Sequence, residues 1–190
     1  RETQDAYYAR SRFGELFADL RRAPESVADE LRRLPGVARV QTGVVADVVL
    51  EVPGQTAPAT ARLVGVSEQS VLNLLHLRSG RSLEPGSRDE VLASEGFARA
   101  NRLGPGDRLT VIVNGRRQVL RISGIALSPE YIFAIRPGEL MPDDRHFAVL
   151  WMDRDALAAA TDLTGAFNSV SLTREPGALE TLAVQPERQF

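Results

Sequence analysis

The sequence has no cysteine, no lysine, two histidines and a single tryptophan. Without cysteine there are no disulfides and no thiolate metal sites, and the compartment stays open, because cysteine-free domains suit both cytoplasm and periplasm. Without lysine the chain cannot be a standard P-loop ATPase, whose lysine must reach the nucleotide phosphates. No apolar run approaches the ~18 residues of a membrane-spanning helix. A net charge of −2 and a pI near 5.8 give no general pull toward nucleic acid or anionic lipid. The first residue is not methionine, so the chain reads as a piece of a longer protein.

Against those absences stand 190 residues, 43% of them hydrophobic, enough for one large domain or two small ones. The most legible stretch runs from Asp89 to Leu127. Glu90 to Ala93 reads as a short strand, and Ser94 is placed to cap the helix that follows. Phe97 anchors that helix, and Asn101 stands where a left-handed stop is expected. Pro105-Gly106 suits the centre of a type II turn. Asn114-Gly115 is the preferred pair of a two-residue type I′ hairpin. It sets Val113 opposite Arg116, Val111 opposite Gln118 and Leu109 opposite Leu120. One face then carries Leu109, Val111, Val113, Leu120 and Ile122 and reads as core. The other, with Arg108, Thr110, Ile112, Arg117, Val119 and Arg121, reads as half wet and basic.

Upstream, Arg12 to Leu20 reads as a strand. Pro24 to Leu34 reads as a helix with proline in its first turn and Val27, Leu31 and Leu34 at helical spacing. Val37 to Val52 alternates for longer than an average strand, with Gly43 as the expected bulge. Thr60 to Val66 reads as a returning strand. His146 to Met152 is apolar on both faces, as a central strand should be. Asp153 is placed to cap a helix reaching about Leu163, and Ala166 to Thr173 is a last strand. The order predicts an α+β fold in two lobes. Residues 1–66 together with 146–190 form an outer mixed βα sandwich. Residues 67–145 form an inserted, mainly-β lobe containing one helix.

The residues offer little for catalysis. Gly65-Val66-Ser67 begins like a nucleophile elbow, but Gln69 stands where the second glycine belongs. Asp143, Asp144 and His146 lack a patterned further metal ligand, and His76 lies among leucines. Asp153 and Asp155 are explained by a helix N-terminus. The arginine face of the hairpin has no interleaved aromatics for base stacking, so it reads as a solvated or acid-paired face. It also supports an alternative reading, an anionic-ligand module built on residues 103–127. Two apolar groups remain: Leu72, Leu74, Leu75 and Leu77 beside Val71, and the island Tyr131, Ile132 and Phe133. Each reads most simply as core, yet both adjoin irregular segments where an apolar groove or partner surface could form. No catalytic residue, cofactor or metal is expected.

Four phrases resemble a known family in their order along the chain: LRRLPGVARV, ARLVGVS, SGRSLEPGSRDEVLASEGFARANRLGPGDRLTVIVNGRRQVLRISGIAL, and FAVLWMDRDALAAA followed by SVSLTRE. Together they are similar to the periplasmic core domain of FtsX-like, MacB-like ABC transporter permeases, and SPEYIFAIRPGELMPDDRHFAVLWM resembles the YbbP-type branch. The resemblance implies an outer porter-like and an inserted sabre-like subdomain. It implies flanking transmembrane helices in the same permease, a separate cytoplasmic ABC ATPase subunit, and a periplasmic location at the inner membrane. It also implies a non-catalytic role, carrying ATP-driven motion to a periplasmic protein or a hydrophobic or lipid cargo. The family usually continues with a further helix and strand after the position of Thr173, whereas Glu175 to Phe190 carries no clear element.

Overall fold

A computed structural model of the chain describes residues 15–55, 57–67, 70, 72–131 and 143–175. Strands predominate: β1 (Leu16–Pro24), β2 (Val37–Gly43), β3 (Val45–Glu51), β4 (Ala59–Val66), β5 (His76–Gly80), β6 (Glu90–Ser94), β7 (Arg108–Val113), β8 (Arg116–Leu127), β9 (Phe147–Asp153) and β10 (Ala166–Arg174). Three short helices accompany them: α1 (Ser26–Arg32), α2 (Glu95–Asn101) and α3 (Arg154–Ala160).

The β7–β8 hairpin forms in the expected register, with Asn114 and Gly115 both at positive φ. Leu109, Val111, Val113, Leu120 and Ile122 are buried, and Val119 on the opposite face is exposed. β8 outruns its hairpin partner, and its second half pairs parallel with β6 and antiparallel with β5. From β6 the ladder passes to β9, β4 and β3, and β3 returns to β7. Six strands thus close into a ring, and closure pairs both sides of every strand in it. Strand alternation fills the interior with Leu50, Leu63, Val91, Val111, Ile122 and Leu150, joined by Phe97 of α2 and Leu157 of α3. The outward residues of β9, Phe147, Val149 and Trp151, are buried as well, under Leu75, Leu83 and Tyr131. This double burial explains why 146–152 reads as apolar on both faces.

A second, antiparallel sheet has the order β1-β10-β2. Val37, Val40, Phe167 and Val170 on one of its faces pack with Ala28 of α1 in a separate cluster.

The long alternation of 37–52 is not one bulged strand. It breaks at Val44, with β2 in the small sheet and β3 in the barrel. Asn168 of β10 makes the switch possible. Its Oδ1 accepts from the Val45 N–H and its Nδ2 donates to the Val45 carbonyl, both at 2.8 Å, replacing a ladder partner. The expected division of strands therefore does not follow the sheets. β3, β4 and β9, assigned to an outer sandwich, share one ring with β6, β7 and β8 of the expected inserted lobe.

Smaller expectations also move. Pro24 closes β1, paired with Ala166, and the helix starts two residues later. Leu34 is 46% exposed, and Ala28 takes the buried position on that helix. The left-handed stop falls on Arg102, and the Asn101 side-chain amide donates instead to the carbonyls of Phe97 and Arg145. Ser94 makes no cap, and its Oγ accepts instead from the Val149 N–H at 3.3 Å.

Candidate functional site

A groove of about 580 Å³ lies where the small sheet meets the barrel wall. Its barrel side is the outer surface of β4 and β9, with Val64, Val66 and Trp151. Its other side is the polar row of the small sheet, Gln41, Ser169 and Ser171. The connections 72–75, 82–86 and 128–131 fill in between.

Each wall is fixed by a local interaction. The connection after β4 turns through Asn73 in the left-handed region, φ 53°. The Leu72 N–H donates to Gln41 Oε1 at 2.8 Å, and Asn73 Nδ2 donates to Glu130 Oε2 at 3.0 Å. Tyr131 meets Trp151 edge-on, with ring centroids 6.4 Å apart at 64°, a favoured aromatic geometry. Burial pushes the Glu130 carboxyl above its ordinary range, outweighing the hydrogen bonds from Tyr131 and Asn73 and the charge of Arg62. Burial, reinforced by the neighbouring Glu130 carboxylate, likewise raises the Tyr131 phenol well above its ordinary value.

The loop 82–86 is held through Glu90, whose side chain is 2% exposed in β6. Its carboxylate accepts from the guanidinium groups of Arg81 and Arg121 and from the Glu84 N–H. The Arg81 hydrogen bonds, opposed by burial, hold its pKa below the ordinary range. The Gly86 N–H donates to Asp153 Oδ2 at 3.0 Å, while Asp153 Oδ1 caps α3 as its sequence position suggests.

The sequence-derived apolar residues separate. Leu72 is 1% exposed, Leu74 and Leu75 line the groove half-buried, and Leu77 lies 43% exposed on β5. Tyr131 lies in the groove, whereas Ile132 and Phe133 fall outside the described residues. Arg117 of the hairpin pairs with Glu51 and Arg121 with Glu90, which satisfies two of the three arginines on its basic face within the chain. Ser67 lines the groove, its N–H donating to Ser70 Oγ at 3.3 Å. Asp143 is engaged by its own turn: it bonds the His146 ring at 3.0 Å and accepts from the Arg145 and His146 N–H groups. Burial opposes these bonds, yet they hold its carboxyl below the ordinary range.

Sequence reasoning missed Gln41, Glu130 and Trp151 as groove residues. The polar row Arg39, Gln41, Gly43 was visible opposite the apolar row of β2, but nothing in the sequence said what it would face.

No protein-family model and no curated protein sequence matches the chain. Solved structures do. The extracellular domain of the noncanonic ABC-type transporter YknZ from Gram-positive bacteria superposes with a TM-score of 0.51 at 14% identity, covering 85% of this chain and 83% of that one. The periplasmic region of MacB from Actinobacillus actinomycetemcomitans gives 0.50 at 20% identity, covering 93% and 73%. The fold is that of a MacB-like periplasmic domain. No described helix is long and apolar enough to cross a membrane.

Proposed function

We propose that the chain is the extracytoplasmic domain of an ABC transporter permease subunit, facing the periplasm from the inner membrane. In this reading it does no chemistry and carries ATP-driven motion of flanking transmembrane helices to a periplasmic partner or cargo. The observation that carries it is the likeness of fold to two transporter extracytoplasmic domains over 85% and 93% of the chain. The path of the backbone supports it. The two described ends meet at one place on the small sheet: the Glu15 N–H donates to the Leu172 carbonyl at 2.9 Å, and Arg174 pairs with Glu15. Helices attached beyond both ends would act together on that sheet. The partners are those helices and a separate cytoplasmic ATPase subunit.

Leu74, Leu75 and Tyr131 form the surface assigned to a hydrophobic or lipid cargo or a periplasmic protein. Burying apolar area there yields about 25 cal/mol per Å². The gene around this chain tests the reading. An apolar helix of at least ~18 residues should precede residue 1, and others should follow residue 190. A gene encoding only the globular part would reject it.

A further inference from the structure

The small sheet and the barrel each have their own hydrophobic cluster, and apart from Ala166 at the start of β10 neither cluster draws on the other body. Polar contacts run between them. At one end of the seam the backbone crosses twice, at Val44 and through 161–165. Here Asn168 holds Val45, Arg154 holds Glu25 and Thr42, and the Glu25 N–H donates to the Gly165 carbonyl. Away from the crossings, Arg62 of β4 reaches Asp19 of β1 at 3.1 Å, Gln41 of β2 holds the Leu72 N–H at 2.8 Å, and Asn73 Nδ2 makes a long, weak contact of 3.5 Å with Ser171 Oγ of β10. Arg62 is also held by Asp47 of the barrel, so losing Asp19 does not strand its charge.

Such contacts exchange readily for water. A hydrogen bond contributes little net free energy, and an ion pair with one partner half in solvent contributes less still. The Asp19 side chain is 54% exposed. Apolar clusters, in contrast, resist separation. We infer that the seam is a hinge. The small sheet with α1 swings as one unit against the barrel about Val44 and 161–165, and the Arg62–Asp19 and Gln41–Leu72 contacts are clasps that part as the groove opens. This is a property of the described structure and does not depend on the transporter reading.

The absence of native cysteine makes the test direct. Arg21→Cys on β1 and Arg88→Cys beside the loop 82–86 place two spin labels on opposite bodies, both at exposed positions. Pulsed electron spin resonance should give two distance populations. The combined Asp19→Ala and Gln41→Ala change should lower the ratio of the closed to the open population about tenfold, the product of two ordinary polar interactions. Raising salt in the labelled parent should shift the ratio in the same direction, because the ion pair is screened. A second pair, Arg88→Cys with Arg116→Cys, lies within the barrel and should keep one distance throughout. If that pair broadens in the double variant, the barrel has been damaged and the salt series on the parent decides. One narrow distance across the seam, unmoved by salt, overturns the hinge and leaves the transporter reading standing.

Discussion

Gly124→Ala should force β5 away from β8 at a crowded backbone contact. Gly124 lies in β8 opposite Gly80 of β5 and Leu92 of β6. A Cβ there would stand 2.6 Å from the Arg81 carbonyl oxygen, 2.8 Å from that of Ser79 and 2.9 Å from Leu77 Cδ1. Two of these three are backbone atoms, so no rotamer change relieves them, and β5 must retreat. Overpacking of this kind costs about 1–3 kcal/mol. Loosening β5 also weakens the Arg81 N–H to Ser123 carbonyl bond, 3.0 Å, at about 1 kcal/mol net. The sum is about 2–4 kcal/mol, or roughly 5–15 °C in Tm at this chain length. Equilibrium urea unfolding of Gly124→Ala beside Gly104→Ala measures it. A Cβ at Gly104 meets nothing within 4 Å, so that control should change stability by no more than about 0.5 kcal/mol. Equal stability of the two variants would refute the packing argument.

Three further outcomes follow from the groove. The lowered pKa of Glu90 means that its stabilising contribution is complete above the ordinary glutamate value of ~4.3 and is lost as pH falls through the lowered value. Glu90→Gln should therefore destabilise at pH 7 and approach the parent in acid, and a gap independent of pH contradicts this. Glu130 has the opposite sign. Its raised pKa means the stability from the protonated form is present below ~4.3 and lost as pH climbs through the raised value. Glu130→Gln should match the parent in acid and exceed it in Tm at pH 7; a less stable variant at pH 7 contradicts this. Leu72→Ala should cost about 2–4 kcal/mol and Leu77→Ala no more than about 0.5, because one side chain is buried and the other half-exposed. Similar losses at both positions would contradict the placement of the leucine cluster.

Elements whose signal is local were legible in the sequence. Asn114-Gly115 sets a turn that fixes its own register, and β9 shows its double burial as an unbroken apolar run. Long-range switches were not legible. The alternation of 37–52 continues smoothly through Val44, and the residue that diverts it, Asn168, lies far along the chain with nothing to mark its partner. The same holds for the groove. Tyr131 and the leucines stood out because they are apolar. Gln41 and Glu130 did not, because a polar residue gains a place in a site only from what folds against it.

The proposed function places this domain outside the membrane, on a permease. In the intact protein expressed in cells, a cysteine replacing the exposed Arg116 at the hairpin tip reports its side of the membrane. A membrane-impermeant maleimide should label it fully in cells whose outer membrane has been permeabilised and whose inner membrane is intact. Labelling only after the inner membrane is lysed would place the domain in the cytoplasm and contradict the account.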